Sequence, residues 1–353
     1  MRLKVATLWA LAAAFVALAV AVSACGSSVS SPTATPAPKA TQSTNPFAGV
    51  PGIIDPNNHS FPRDVEGLNG RVTIKAKPQH IVSLSVGHDE MTYALVPASR
   101  VAGVHVVTKT ADFSNVADIS ASAPSITTDP ESILSVHPDV MVTSPFFPAD
   151  KIAALTKVGL AVVQTDLRND PRSRIENILL LGYIYGEEDR AVAFAREVQQ
   201  RYDALQAVVQ KHPAAQRSRV MSTARFADKI YTAGKDSTEG AIIDGAAGIN
   251  VAADAGLERN PSISIESIVA MRPDVIIITQ SSESGEPFKQ DLLKAAVLQE
   301  VPAIKNRRVY VEPGVLFTTL SFWNLRGAEE LARILWPQDF AGKEFPKFSL
   351  PNG

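Results

Sequence analysis

Aromatic and polar residues follow the points where several predicted β-strands of this chain end. In open α/β sheets, ligands bind beyond the carboxyl ends of the strands. Aromatic side chains with a few polar groups suit a large flat or greasy molecule, and an arginine among them could pair with a negative charge on it. The predicted ligand contacts are His88, His105, Phe146, Phe147, Arg225, Phe226, Tyr231, Gln280, Ser281, Phe317 and Trp323.

Several of these side chains have a plain structural alternative. Phe146, Phe147 and Trp323 have the residue types that most often fill a core. His88 could instead cap the helix that follows it, and His105 lies within a strand-like run that favours packing. Arg225 could form an ordinary surface salt bridge.

Two stretches with one pattern must position these side chains. Residues 131–143 and 266–279 both read Glu-Ser-Ile, four residues, Pro-Asp-Val, then an apolar run that ends at Thr. A continuous, largely β-branched run is typical of a strand covered on both faces of a parallel sheet. The two copies begin at Glu131 and Glu266, much further apart in the chain than the repeats of a solenoid. They therefore predict two similar α/β lobes rather than a solenoid.

The start of each stretch has the signature of a short helix. Asp129 and Ser264 are good N-cap residues. Glu131 and Glu266 then lie in the first turn, where a negative charge meets the positive end of the helix dipole. The proline that follows ends the helix, since the residue before a proline is pushed out of the α region.

Residues 171–212 contain no strand signal and read as helix, with a break at Gly186. From Glu187 to His212 the apolar residues form a stripe at helical spacing, and such a helix would be about 39 Å long. It is long enough to pass between lobes, although an ordinary surface helix within one domain is the alternative. The predicted fold class is α/β, with two Rossmann-like lobes that have central parallel sheets, bridged by one long α-helix. An Asn69-Gly70 turn predicts a hairpin before the first lobe.

The N-terminus has the pattern of a secretory signal peptide. Arg2 and Lys4 precede an apolar run, and small residues follow before Cys25, the one cysteine of the chain. An uncleaved anchor, or a plain signal with a chance cysteine, is the alternative. The Ser-, Thr- and Pro-rich stretch that follows predicts a disordered tether. The expected division is 1–24 signal peptide, 25–60 lipidated Cys25 and tether, 61–170 N-terminal lobe, 171–212 bridging helices and 213–353 C-terminal lobe.

Composition argues against several other classes of function. The net charge of -2, with both signs mixed, gives no electrostatic reason to expect nucleic acid. Six histidines without paired spacing make a bare metal ion a poor fit. We find no Gly-x-Ser-x-Gly, His-Glu-x-x-His or CxxC motif, so no enzyme activity and no cofactor are predicted.

From about Phe61 to Pro337, the chain resembles the substrate-binding lipoproteins of ABC transporters for iron-siderophores, haem and cobalamin. Val22-Ser23-Ala24-Cys25 resembles a bacterial lipobox. The other matching pieces are Ile81-Val82-Ser83-Leu84-Ser85, Glu90, Tyr93-Ala94-Leu95, the two Glu-Ser-Ile and Pro-Asp-Val units, and Arg308-Val309-Tyr310-Val311.

The resemblance implies that the ligand, a metal chelate, lies in the cleft between the lobes. A ferric siderophore is the first expectation, with haem or cobalamin next, and Arg225 would meet a catecholate or propionate. Glu131 and Glu266 would dock, one from each lobe, onto an ABC permease dimer that works with an ATPase. The expected location of this monomer is the outer face of the cytoplasmic membrane, or the periplasm if the host has an outer membrane. The alternatives are a binding module for a sensor or haem relay and, less favoured, a secreted α/β enzyme.

Overall fold

The start of the folded region differs from the predicted boundary at residue 61. The structure is a computed structural model that describes residues 45–351. The predicted signal peptide, Cys25 and the tether up to residue 44 lie outside the described residues. Residues 45–60, assigned above to the tether, instead pack on the protein: Phe47 and Val50 are buried, and the Phe47 ring lies 6.1 Å from that of Tyr183. The buried side chains of Phe47 and Val50 hold residues 45–60 in place. The prediction of a disordered tether, which rested on composition, is therefore wrong for this segment.

The N-terminal half consists of a hairpin and a five-stranded sheet. The turn at Asn69 joins the two hairpin strands as predicted, and Asn69 also holds the hairpin against the sheet by donating to the carbonyl of Val162 at 2.9 Å. The elements are β1 (Arg63–Gly67), β2 (Gly70–Ile74), β3 (Ile81–Leu84), α1 (Val86–Leu95), β4 (Val101–His105), β5 (Ser125–Ile126), α2 (Pro130–Leu134), β6 (Val140–Thr143), α3 (Ala149–Lys157) and β7 (Ala161–Gln164).

All strands of this first sheet are parallel, as predicted. Their order is β5-β4-β3-β6-β7, and in the central pair Ile81 lies opposite Val140. The side chains of β3 and β6 are fully or almost fully buried, because helices cover both faces. The carboxyl ends of all five strands therefore meet at one edge of the sheet.

Two helices, α4 (Pro171–Tyr185) and α5 (Glu188–Val209), follow β7. Gly186 ends α4 in a left-handed conformation, with φ of 69°. The 22 residues of α5 span about 33 Å. Arg190, near its start, donates to the carbonyl of Ala94 in the N-terminal half at 2.9 Å, and Arg201, in its second half, pairs with Glu329 in the C-terminal half at 2.6 Å. The helix therefore contacts both halves, as the bridge prediction requires.

The C-terminal half carries the second sheet. His212, just after α5, packs onto this half, since its ring stacks on that of Trp336 with the ring centroids 3.6 Å apart. The elements are β8 (Arg219–Phe226), β9 (Lys229–Thr232), α6 (Thr238–Gly245), β10 (Ile249–Asn250), α7 (Val251–Asp254), β11 (Ser262–Ile263), α8 (Ile265–Met271), β12 (Val275–Thr279), α9 (Ser282–Lys294), α10 (Pro302–Lys305), β13 (Val309–Glu312), α11 (Gly314–Phe317) and α12 (Asn324–Leu335).

The second sheet has the order β11-β9-β8-β12-β13, with β10 also paired to β8. Its centre is parallel, as predicted, but β9 is antiparallel to both β8 and β11. Only two residues, Ala227 and Asp228, separate β8 from β9, and Ala227 has a positive φ of 49°. So short a connection permits only an antiparallel pair. Because β11 reverses again, its carboxyl end lies at the same edge as that of β8.

The two repeated stretches lie in different sheets, in equivalent places. Each supplies a short helix, α2 or α8, and the strand next to the centre, β6 or β12. The motif aspartate has the same role in both copies. Asp139 accepts hydrogen bonds from the backbone N–H groups of Gln79 and His80 at 2.6 and 2.8 Å, and Asp274 accepts one from Arg219 at 2.9 Å. The Pro-Asp-Val motif thus ties each strand to the start of its central neighbour.

The predicted helix caps are in place but do not act as caps. Asp129 and Ser264 occupy the N-cap positions, yet neither side chain accepts a capping hydrogen bond from its helix. Asp129 instead pairs with Lys151 at 3.1 Å, which ties the start of α2 to α3.

A buried carboxylate joins the two halves. Glu90, in α1, accepts hydrogen bonds from the backbone and side-chain nitrogens of Asn115, both at 2.8 Å. On the C-terminal side it accepts from the hydroxyl of Thr319 at 2.5 Å and from that of Ser321. Burial raises the pKa of Glu90. A carboxylate with this many partners fixes the loop that follows α11 against α1.

Within residues 45–351, no helix has the length and apolar character needed to cross a bilayer.

The packing of α4 on α5 gives a stability prediction. A Cβ on Gly182 would lie 2.1 Å from the Cβ of Ala191, so Gly182→Ala must push the helices apart. We expect it to lower the free energy of unfolding by about 1–3 kcal/mol, measured by urea denaturation. The matched control is Gly245→Ala, where the nearest atom would be 3.6 Å away. Equal stability of the two variants would contradict the close helix contact.

Candidate functional site

A cavity lies beyond the carboxyl ends of β8 and β12, in the place that strand topology predicts for a ligand. Its volume is about 500 Å³, within the usual range for small-molecule sites. Three threonines line it: Thr232 and Thr279 end β9 and β12, and Thr223 lies within β8. The hydroxyls of Thr223 and Thr232 donate to the backbone carbonyls of Tyr231 and Ser222 at 2.7 and 2.8 Å. The other lining residues are Ala224, Phe226, Tyr231, Ala233, Thr238, Glu239, Asn260 and Thr318.

This cavity opens beside the junction of the two halves. Thr238 at its rim donates to the side-chain oxygen of Asn169, which follows β7 in the N-terminal half, at 3.1 Å. The side-chain nitrogen of Asn169 donates to the carbonyl of Asp236 at 3.1 Å. Thr318, which also lines the cavity, directly precedes Thr319, whose hydroxyl donates to Glu90 of the N-terminal half. All residues that line the cavity belong to the C-terminal half, and these contacts join its rim to the N-terminal half.

Exposed apolar side chains line the strand ends of both sheets. In the N-terminal half, Val106 follows β4 and is 50% exposed, and Phe146 follows β6 and is 80% exposed. In the C-terminal half, Phe226 ends β8 and is 55% exposed. Its ring lies 6.1 Å from that of Tyr231. Exposed apolar residues that lie together mark a binding surface, and Phe226 with Tyr231 forms such a pair at the end of β8.

A buried carboxyl group in the cavity escaped the sequence analysis. Glu239 lies in the first turn of α6 and is almost fully buried, which raises its pKa. The side-chain nitrogen of Asn260 lies 3.3 Å from both of its oxygens. The strand-end rule does not lead to Glu239, because its helix follows β9, which runs antiparallel to β8. No signal in the sequence indicates Asn260, which lies in a loop.

The rings of the two predicted histidines, His88 and His105, both make contacts within the protein. His88 is fully buried, and its ring nitrogens contact the hydroxyls of Ser85 at 2.7 Å and Thr165 at 2.6 Å. Burial lowers the pKa of His88 to about 3, so the imidazole is neutral. His88 therefore offers no exposed surface to a ligand. It does not cap α1 either, because it is the third residue of that helix and its backbone N–H donates to the side chain of Ser85, the N-cap, at 3.3 Å. His105 is half-buried, and its Nδ1 accepts from the backbone of Val107 at 3.4 Å.

Four more predicted contacts are held inside the protein. Phe147 packs beside the first sheet, and Phe317 and Trp323 belong to the large core. Gln280 is buried and exchanges two hydrogen bonds, of 2.8 and 2.9 Å, with the backbone of Arg225. Because these side chains have little or no exposed surface, the structure corrects their prediction as ligand contacts. Core packing, the alternative given for Phe147 and Trp323, is what is observed.

Arg225 also takes its alternative role. Its guanidinium pairs with Asp291 at 2.6 Å and lies over the ring of Phe288 at 4.8 Å. Ser281 is half-buried beside it, with its hydroxyl 3.2 Å from that of Ser284. Of the predicted contacts, Phe146, Phe226 and Tyr231 are therefore the best placed for a ligand.

Two observations argue against a bare metal ion and against a different ligand site. Within residues 45–351, no cluster of three or more His, Cys, Asp or Glu residues could bind a bare metal ion. A larger cavity of about 1180 Å³ lies between the hairpin, α3 and β7. It opens beside an edge strand rather than beyond the strand ends, and none of the predicted contacts lines it, so we do not assign the ligand to it.

Glu131 and Glu266 are both exposed, each at the second residue of its helix. Helix α2 follows β5 and helix α8 follows β11, and these strands are the corresponding edge strands of the two sheets. Both strands have their carboxyl ends at the cleft edge, so each glutamate lies at that edge of its own half.

Comparisons with known proteins agree with this arrangement. The sequence pattern of the periplasmic binding protein family matches residues 81–316. An uncharacterised ABC transporter substrate-binding lipoprotein, YvrC of Bacillus subtilis, is 27% identical over 288 residues, covering 79% of this chain and 87% of that protein. A cobalamin-binding protein of Halobacterium salinarum is 25% identical over 281 residues, covering 78% of this chain and 73% of the relative.

Solved structures show the same fold. The apo form of the periplasmic haem-binding protein RhuT from Roseiflexus sp. RS-1 superposes with a TM-score of 0.65 at 21% identity, covering 74% of this chain and 99% of that one. The family match spans both sheets and the bridge between them. The resemblance found in the sequence and the two-lobed α/β fold are thus confirmed, and the chain belongs to the periplasmic binding protein family.

Proposed function

We propose that this protein is the solute-binding component of an ABC importer, and that it captures a metal chelate between its two halves. The observation that carries the proposal is aromatic surface at the strand ends of both halves: exposed Phe146 on one half, and on the other exposed Phe226 with half-buried Tyr231, both of which line the cavity. Flat aromatic surface on both sides suits a macrocycle better than a small sugar or amino acid.

Charge at the cavity favours a corrinoid over an anionic chelate. Arg225 is already paired with Asp291, so it is not free to meet a catecholate or a propionate. Glu239, the threonine hydroxyls and Asn260 offer hydrogen bonds to neutral amide groups, which cobalamin carries around its ring. The cobalamin-binding relative supports this choice. Haem is the second candidate, and a ferric siderophore, the first expectation from sequence, becomes the third.

The rival functions differ from transport in ways that can be observed. A sensor or haem-relay module would bind the same ligand, but its gene would not neighbour those of a permease and an ATPase. A secreted α/β enzyme would turn over a substrate. The relatives are solute-binding proteins, which favours transport over catalysis.

The ligand proposal predicts the affinities of cavity variants. We expect cobalamin to bind the purified protein in calorimetric titration, and Phe226→Ala and Phe146→Ala each to weaken binding about 10- to 100-fold, since buried aromatic anchors contribute about 1–3 kcal/mol. The control is Leu68→Ala, an exposed apolar residue of the hairpin turn. If cobalamin, haem and ferric siderophores all fail to bind, the chelate proposal is wrong.

Docking through Glu131 and Glu266 is the second part of the proposal. Their equivalent positions on the two halves suit a permease with two-fold symmetry, whereas a helix-dipole role alone would stabilise each helix by under about 1 kcal/mol.

Charge reversal separates these two roles. We expect Glu131→Lys combined with Glu266→Lys to leave ligand affinity unchanged and to stop uptake of radiolabelled ligand by cells. Glu283→Lys, also in the first turn of a helix, is the control and should transport normally. Normal uptake by the double variant would refute docking through these residues.

Anchoring at Cys25 is the third part, because two or more acyl chains hold a protein stably on a bilayer. We expect Cys25→Ala to move the protein from the membrane fraction to the soluble one, as followed by immunoblot. Retention of the variant in membranes would contradict lipidation.

A further inference from the structure

A second, smaller cavity lies where the bridging helices meet the C-terminal half. Its volume is about 30 Å³, and residues of α4, α5, α6 and α12 line it. Most of its wall is apolar, including Ile175, Val198, Ile242 and Phe322. A cavity of this size holds a single water molecule or a single small ion. It shares no lining residue with the ligand cavity described above.

One wall of this cavity is an unneutralised cation. Arg174 is 1% exposed, and its Nη1 donates to the carbonyl of Arg168. Its Nε and Nη2 are buried without a hydrogen-bond partner among the described residues. Burial lowers the pKa of Arg174 to about 10, so the group still carries its charge at neutral pH. A buried charge without a partner is costly, which calls for a counter-charge.

The nearest acidic residues are engaged elsewhere. Asp170 and Asp166 both favour the charged form of Arg174 from a distance, but no described carboxylate lies within ion-pair distance of its guanidinium. Asp170 accepts the backbone N–H of Ser173 at 2.9 Å as the cap of α4, and Asp166 pairs with Arg168 at 2.9 Å. Neither neutralises the buried charge directly.

The other polar groups of the wall can also donate hydrogen bonds. The other polar residues in the wall are Asn169, Tyr202 and Asn324. Asn169 is already bonded to Asp236 and Thr238, whereas the side chains of Tyr202 and Asn324 make no hydrogen bond within residues 45–351. Pro171 and Asn324 are the first residues of α4 and α12, helices of 15 and 12 residues, so the positive ends of two helix dipoles meet here. No aspartate or glutamate lines the cavity.

We propose that a single small monovalent anion, of the size of chloride, binds in this cavity against Arg174. The wall holds the fixed positive charge of Arg174 and no carboxylate, and a bound anion neutralises that charge whereas a water molecule does not. The bound ion would neutralise Arg174 and link α4 to α12. The site would thus stabilise the junction between the bridge and the C-terminal half, separately from capture of the transported ligand.

Thermal unfolding of the full mature chain tests this site. We expect the unfolding midpoint to rise by about 2–4 °C or more when potassium chloride replaces potassium gluconate at equal ionic strength, with a saturable dependence on chloride. The halide itself can be located in crystals soaked in bromide, where an anomalous peak should lie within hydrogen-bond distance of Nε or Nη2 of Arg174.

Two variants separate this site from general salt effects. Arg174→Met removes the charge and keeps most of the volume, so it should fold and lose the chloride-specific shift. Arg172→Met removes an exposed arginine of the same helix, which pairs with Glu176, and should keep the shift.

Three results would overturn the proposal: equal midpoints of the wild-type protein in the two salts, a chloride shift that survives in Arg174→Met, or a water in place of bromide in the cavity. Should Arg174→Met fail to fold, the bromide experiment on the wild-type protein decides alone.

Discussion

The ligand cleft depends on the buried carboxylate of Glu90. It lies in α1 of one half and holds the hydroxyls of Thr319 and Ser321 from the other, while Asn115 satisfies its second oxygen. A buried carboxylate that loses these donors would be strongly destabilised, so the loop between α11 and α12 has little freedom to move from α1. The distance between the aromatic surfaces at the two sets of strand ends follows from this contact and from the bridge formed by α4 and α5.

Sequence reasoning succeeded where local chemistry and global fold agree. The repeated Glu-Ser-Ile and Pro-Asp-Val units predicted two sheets, because a helix stop followed by a β-branched run has one structural outcome. The structure adds the reason for the aspartate in that motif, since Asp139 and Asp274 each bind the backbone at the start of the neighbouring strand. The turn at Asn69-Gly70 and the break at Gly186 were also local signals, and both were confirmed.

The composition of the cleft was harder to predict, because it depends on which face of a segment meets the core. Phe146 and Phe147 are adjacent and chemically identical, yet one is exposed and the other buried. The reversal of β9 rests on a two-residue turn containing Ala227, a residue that rarely adopts a positive φ. Asn260 reaches Glu239 from a loop distant in sequence. Such pairings arise from tertiary packing and leave no local pattern.

The location of Trp323 and Trp336, the two tryptophans within residues 45–351, has a practical consequence for ligand screening. Trp323 is packed between Phe322 and Phe348, and Trp336 stacks on His212 and donates its Nε1 hydrogen to the carbonyl of Ala246. Neither lines the ligand cavity. Quenching of their emission by an added macrocycle would therefore report energy transfer to a coloured ring rather than direct stacking, and a colourless ligand could bind without an optical signal.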